Sequence, residues 1–463
     1  MTGVPPTAIP DVLTPLDVAA RWPVERPLVM LHSGRPHPRW SRRTVLAAPA
    51  AVFRHDGRRS TFEVLDHRWT ATTPDFTDDP LADLQTLVDL GASTHPSRAP
   101  FESGWIGALS YDLGRRLEPA ATSSGGAIDD RDWPLVSFAF CPDPFVYDHD
   151  RAAWRTTPTL PLRSGPPDAP PSVGRLASTS TPEAHRGAVA RAIEYIAAGD
   201  IFQANITQRV SATFAGSTRD LMAAAMRRAR PWYAAYLECP DGRTLLSLSP
   251  ELFLEVDGST RTVVTRPIKG TRPSSIDPAE LLASAKDAAE LTMIIDLMRN
   301  DLGRVCRVGS VRVTEARRLE SHPTVHHTVG EVVGTLRPDV DLAALLRATF
   351  PGGSVTGAPK IRAMQIIDEL EPVRRGPYCG SIGWVGTDGT IALNIAIRTV
   401  ALSGARSPGR FDALVGRLDY GAGGGIVADS RPDAEYRESL DKIAVLQAIL
   451  ADLGADSAVH PVA

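Results

Sequence analysis

Residues 232–271 read WYAAYLECPDGRTLLSLSPELFLEVDGSTRTVVTRPIKGT. Aliphatic and aromatic side chains dominate 232–238 and 244–256, and Thr262-Val263-Val264-Thr265 adds a further β-rich run. Pro240-Asp241-Gly242 and Asp257-Gly258 supply the turns between them. Strands this close in sequence pair antiparallel, because a parallel pair needs a crossover of roughly a dozen residues or more. The stretch closes on Pro267-Ile268-Lys269-Gly270-Thr271. A lysine at a strand edge is usually a solvated gatekeeper. Flanked by Pro-Ile and Gly-Thr, Lys269 is better placed to aim its amine at something, since Gly270 lets a ligand approach the backbone closely. An amine that does chemistry must be neutral, against a free pKa of ~10.4. Burial, a cationic neighbour or a nearby base has to supply the difference.

The same alternation of elements extends in both directions. Thr181-Pro182-Glu183 reads as an N-cap followed by proline at the first helical position, opening a helix that reaches residue 198. A strand over 201–214, a helix over 221–230 and a helix over 278–302, interrupted or bent near Ser284, follow from the apolar spacing. Strands are expected at 308–313, 325–333, 381–385 and 391–400, with helices at 342–348, from Ile361, and over 432–453. Upstream, 134–147 is strand-like and 81–90 helical. Groups of strands with helices between them predict an α/β (α+β) fold with much antiparallel pairing rather than regular βαβ winding. Residues 156–181 are loaded with Pro, Ser, Thr and Gly. They are expected to form a linker or surface loop between an N-terminal region, 1–155, and a larger region, 182–455.

Composition narrows the class. Of 463 residues, 43% are hydrophobic and 22% charged, as in soluble globular proteins. A formal net charge of -4 without a basic stripe argues against nucleic-acid binding. Cys141, Cys239, Cys306 and Cys379 are far apart and form no C-x-x-C pair, which fits a reducing cytosol. Met1 to Pro6 shows no secretory signal, and no apolar run is long enough to span a bilayer, so a cytoplasmic location is expected.

Asp287/Glu290 and Glu435/Glu438 stand at helical i,i+3 spacing, each pair on one helix face. Two such pairs suit one hard divalent ion such as magnesium. By spacing alone ordinary solvated surface chemistry is the stronger reading, with Glu438 pairing Lys442 at i,i+4. Gly421-Ala422-Gly423-Gly424-Gly425 precedes the last helix and offers bare backbone N–H groups to an anion, or forms a tight corner. It is no dinucleotide fingerprint, because position 426 is Ile. The loop 352–360 imitates a P-loop and fails, since Ala358-Pro359 separate the second glycine from Lys360. His326 and His327 sit in a strand-like run, so one of them faces each side. Glu251, after Pro250, suits a general acid if buried.

Three strings carry a resemblance: PIKGT at 267–271, DLMRNDLGRV at 296–305 and FPGGSVTGAPK at 350–360. In this order they closely resemble the chorismate-utilising enzymes, and among these the component I branch of aminodeoxychorismate synthase. The block from about 181 to 453 carries most of the match. LHSG at 31–34, GWIG at 104–107 and YDLGR at 111–115 extend it more loosely into the N-terminal third. The resemblance implies a four-layer sandwich of large, mostly antiparallel sheets flanked by helices, with a Mg2+-dependent site. It implies that chorismate exchanges its ring-4 hydroxyl for an amino group, giving 4-amino-4-deoxychorismate for p-aminobenzoate and folate, without release of pyruvate.

Carried over position by position, the resemblance makes Glu290 and Glu438 the magnesium ligands, with Asp287 and Glu435 supporting through water. It assigns Arg398 and Tyr378 to the substrate carboxylates, with Gly270, Thr271, Gly423, Gly425 and Lys442 completing the cradle. His327 matches the family's catalytic strand and Glu251 its general acid. Position 203 is glutamine where water-using relatives carry a lysine base. Lys269 stands where anthranilate synthases have alanine. The implied mechanism has Lys269 attack ring carbon two as the ring-4 hydroxyl leaves, before ammonia enters at carbon four. Leu291 departs from the His or Asn usual after Glu290. His32 and Ser33 resemble a tryptophan-binding element.

No cysteine sits in the Gly-x-Cys-x-Gly elbow of a glutaminase. A separate glutamine amidotransferase subunit is therefore the expected ammonia source. The competing functions are an anthranilate synthase component I and a catalytically silent metabolite-binding subunit.

Overall fold

The computed structural model describes residues 13–97, 99–122, 126–155, 162–163, 170–321, 325–455 and 458–460. Met1 to Pro6 and much of the expected linker, 156–161 and 164–169, lie outside the described residues. Within the remainder of that segment, Ser172–Val173 and Leu176–Ser178 pair with the long strand Gln203–Ser217.

Two large sheets, of 13 and 11 strands, dominate the structure. Their ladders are antiparallel apart from Leu176–Ser178 against Val459–His460. The sheets pack through an apolar layer that includes Val29, Leu237 and Ala401 from one and Ile106, Ile382 and Trp384 from the other. Trp384 is fully buried there, and truncating it to alanine would cost about 3–5 kcal/mol. Helices Pro15–Ala20, Thr218–Ala229 and Pro432–Asp452 cover the outer face of the larger sheet. Helices Pro80–Thr94, Ala285–Gly303 and Leu342–Thr349 cover the other. The order helix, sheet, sheet, helix is the expected four-layer sandwich. Strands from before residue 155 and after residue 182 share both sheets: Val29–His32 pairs with Tyr233–Glu238, and Gly104–Leu109 with Ser381–Gly386.

Local sequence explains most element ends. Thr181 caps Pro182–Ala197 by accepting the Ala184 amide at 3.1 Å. Of the two forms expected at Ser284, the helix takes the interruption: Pro278–Ala283 and Ala285–Gly303 are separate, because the Ser284 side chain turns to cap the second helix through the Asp287 amide at 3.2 Å. The strand expected at 308–313 instead runs Arg312–Ser321, alongside Val325–Thr335.

Two expected strands are each divided between the sheets. Residues 244–256 become Arg243–Ser249 in the larger sheet and Leu252–Val256 in the smaller. Pro250 has no N–H to extend the first ladder, and the chain crosses there. Residues 391–400 likewise become Ile391–Asn394 and Thr399–Arg406, in opposite sheets. This second crossing bends through Arg398, whose φ is +50°. The crossings lie side by side: the Ile395 amide donates to the Glu251 carbonyl at 3.0 Å, and the Leu248 amide to the Arg398 carbonyl at 3.0 Å.

Candidate active site

Glu251 and Arg398 are carried on those crossings, and neither has the environment of a surface charge. Glu251 is 4% exposed. Burial pushes its carboxyl up to about 7, against the Ser354 hydroxyl, the Lys269 charge and the Ile268 amide, all of which favour the ionised form. Arg398 is half-buried, and burial lowers its pKa. Among the described residues no carboxylate or hydrogen-bond acceptor engages its guanidinium. A desolvated cation without an internal counter-charge suits an anionic ligand group. The Cys379 amide donates to the Ala396 carbonyl at 2.9 Å, and the Ala396 amide to the Gly380 carbonyl at 2.9 Å. These bonds dock the Tyr378 loop onto the Arg398 crossing.

Lys269 lies on Ile268–Pro273, paired with Thr328, and Thr271 is paired with His327. Gly270 is the extra residue of a bulge between them, with φ +76°. A Cβ at Gly270 would press to 3.0 Å of the Asp287 carboxyl carbon, so only glycine fits both conformation and space. The Lys269 side chain is 11% exposed, with Nζ 4.0 Å from Glu290 Oε2. Burial moves both partners toward their neutral forms, Lys269 downward and Glu290 upward. The Lys442 charge lowers Lys269 further, and Glu290, Glu251 and Glu438 oppose it. His327, 2% exposed, bonds Thr271 Oγ1 through Nδ1 at 2.8 Å.

The glycine strand, part of Ala413–Ile426, separates two groups of side chains. A Cβ at Gly425 would stand 2.9 Å from Lys269 Nζ and 3.1 Å from the Gln203 amide nitrogen. A Cβ at Gly421 would run into the Tyr378 ring. Both glycines face one side, so Lys269 and Tyr378 stand over the same face about 13 Å apart along the strand. The Gln203 side chain is fully buried, and its amide oxygen and nitrogen have no hydrogen-bond partner among the described residues. Gly424 faces the other side, where its Cβ would lie 3.3 Å from Glu435 Oε2 and 3.3 Å from Glu438 Oε1. Lys442 Nζ joins Glu438 Oε1 at 2.7 Å and the Gly423 carbonyl at 2.6 Å.

A scan against family models matches residues 29–448 to the chorismate binding enzymes. The chain belongs to that family. This chorismate binding enzyme is 38% identical over 436 residues to aminodeoxychorismate synthase component 1 of Escherichia coli (strain K12), covering 90% of this chain and 91% of the relative. It is also 38% identical over 407 residues to an anthranilate synthase component 1 of Haloarcula marismortui, covering 78% and 77%. Among solved structures, anthranilate synthase component I from Streptococcus pneumoniae TIGR4 superposes with a TM-score of 0.73 at 28% identity, covering 95% of this chain and 99% of that one.

In this chorismate binding enzyme the carboxylates fit a hard divalent cation by donor chemistry, all oxygen and no soft ligand. Among the described residues no three His, Cys, Asp or Glu side chains close to coordinating distance. Ammonium groups stand between them: Lys286 Nζ is 3.9 Å from Glu290 Oε1 and 3.6 Å from Glu435 Oε1. Asp287 differs from its expected companions, because Arg272 holds its Oδ2 at 2.8 Å. Glu435 is buried and accepts from Ser430 Oγ at 2.7 Å.

His32 and Ser33 do not join this site. They line a separate cavity of about 470 Å3 between the sheets, with Trp40, Arg43, Tyr233 and Trp384. His32 bonds Thr44 at 3.1 Å, Ser33 donates to the Arg43 carbonyl at 2.6 Å, and burial, then His149, push the His32 imidazole down to about 3. Sequence reasoning overlooked Lys286, Arg272 and Ser354. Lys286 stands four residues before Glu290 on one helix, a spacing that announces the pair. Ser354 lies inside the Gly-rich string 350–360, and no local pattern announces Arg272.

Among the described residues no helix is long and apolar enough to cross a membrane.

Proposed function

We propose that this chain is the amination component of an aminodeoxychorismate synthase, converting chorismate and ammonia to 4-amino-4-deoxychorismate. The observation that carries this reading is the Lys269 amine, buried over Gly425 beside the unpartnered Gln203 amide and lowered toward its neutral form. Arg398 and Tyr378 hold the substrate carboxylates at the far end of the same glycine floor. Lys269 adds through its amine to ring carbon two. The ring double bonds shift, the carbon–oxygen bond at carbon four breaks, and Glu251 protonates the departing hydroxide. Ammonia then adds at carbon four, the double bonds shift back, and the lysine leaves carbon two. A carboxyl near pH 7 exists in both forms at neutrality and serves either direction of proton transfer. Gln203 cannot activate water as a lysine base would, which favours ammonia. Glu290 and Glu438, with Asp287 and Glu435 behind them, would hold Mg2+, whose chemistry here is neutralisation of substrate carboxylate charge.

Ammonia would come from a separate glutamine amidotransferase, the partner implied for a component 1 protein. The relatives include anthranilate synthases, so the product decides the matter. Incubating the protein with chorismate, Mg2+ and ammonium should give a product whose hydroxyl has been replaced by an amino group, with no pyruvate. Anthranilate with stoichiometric pyruvate would overturn the proposal.

A further inference from the structure

We infer that Lys286 is a built-in counter-ion that holds the acidic cluster together and is displaced when a divalent cation binds. This rests on reading Glu290 and Glu438 as ligands of that cation. Four carboxylates, Asp287, Glu290, Glu435 and Glu438, are matched by four cationic side chains, Arg272, Lys269, Lys286 and Lys442. Counted as formal charges the cluster has no net charge when Lys269 is protonated and a single negative charge when its amine is neutral, so an entering divalent ion meets little net negative charge until Lys286 withdraws. Three of the four are tied or enclosed. Arg272 bonds Asp287 at 2.8 Å, Lys442 bonds both Glu438 and a backbone carbonyl, and Lys269 is 11% exposed. Lys286 is 44% exposed, and its ion pairs at 3.6 and 3.9 Å are longer than hydrogen bonds. It is also the cation that bridges the two helices, touching Glu290 on Ala285–Gly303 and Glu435 on Pro432–Asp452. A flexible ammonium on a solvated stem withdraws at little cost.

The test is calorimetric titration of Mg2+ into the full-length protein, into Lys286→Met and into Arg299→Gln, without substrate. Arg299→Gln removes the same charge from the same helix roughly 20 Å further along, and serves as the control. Lys286→Met should bind Mg2+ roughly three- to tenfold more tightly than the parent, while Arg299→Gln binds like the parent. Without metal, Lys286→Met should melt lower, and Mg2+ should raise its melting temperature by more than it raises the parent's. Lys286→Gln repeats both measurements with a polar side chain. Equal or weaker Mg2+ binding by the Lys286 variants, with clear binding by the parent, overturns the inference and leaves the metal site standing. An equal gain in Arg299→Gln overturns it too, by reducing it to long-range charge. No binding by any of the proteins removes the metal reading and this inference together.

Discussion

Glu251 and Arg398 ride on neighbouring crossings between the two sheets, each crossing bonded to the other through a backbone pair at 3.0 Å. A chain that changes sheets leaves its ladder, and the side chains at that point are free to face the space between. That placement puts a buried carboxyl and a half-buried guanidinium on adjacent crossings without pairing them, and it sets the first expectations.

Among the described residues Arg398 has no hydrogen-bond or ion-pair partner to lose. Arg398→Gln should therefore leave the melting temperature close to the parent's while raising KM for chorismate roughly 10- to 100-fold. Steady-state kinetics beside a thermal melt separate the two effects. A large drop in stability would show that the guanidinium serves the fold.

The pH profile follows from Glu251. As general acid it must be protonated, so kcat/KM should fall as pH rises through about 7. The Ser354 hydroxyl favours the ionised carboxylate, so Ser354→Ala should move that limb to higher pH. Lys269 must be neutral, which places an acidic limb below the ordinary lysine range.

Stability should run opposite to activity at the same residue. The Glu251 carboxyl titrates near 4.5 when unfolded and at about 7 when folded, so ionising it costs folded stability. The penalty is absent below about pH 4.5, grows as pH rises and is complete above about 7. Glu251→Gln should then exceed the parent by on the order of 2–3 kcal/mol above pH 7, while abolishing turnover. Urea melts at pH 4.5 and 8 measure the difference.

Much of this site was legible in sequence because it is local. The i,i+3 carboxylates, Lys442 four residues after Glu438, and the glycine directly after Lys269 are facts of a single element. The crossings were not legible. Residues 244–256 and 391–400 keep a continuous apolar character on both sides of the change of sheet, and Pro250 was its sole local mark. The isolation of Arg398 and the bridge made by Lys286 depend on elements far apart in the chain. Pairing of Ser172–Val173 and Leu176–Ser178 was hidden for the same reason, since short strands inside a Pro-Ser-Thr-rich segment show no alternation.

The carboxylates should not be equivalent toward metal. Glu290→Gln and Glu438→Gln should abolish measurable Mg2+ binding, whereas Asp287→Asn, whose oxygen is held by Arg272, should cost roughly tenfold. Chelation with EDTA should stop turnover, and added Mg2+ should restore it.

The central claim is that the Lys269 amine decides which ring carbon receives nitrogen. Its most direct test is the product made by Lys269→Ala from chorismate, Mg2+ and ammonium, identified by mass spectrometry with a parallel pyruvate assay. Loss of amination at carbon four, or its diversion to carbon two with pyruvate release, is the predicted result. The same 4-amino product at the parent's rate would contradict it.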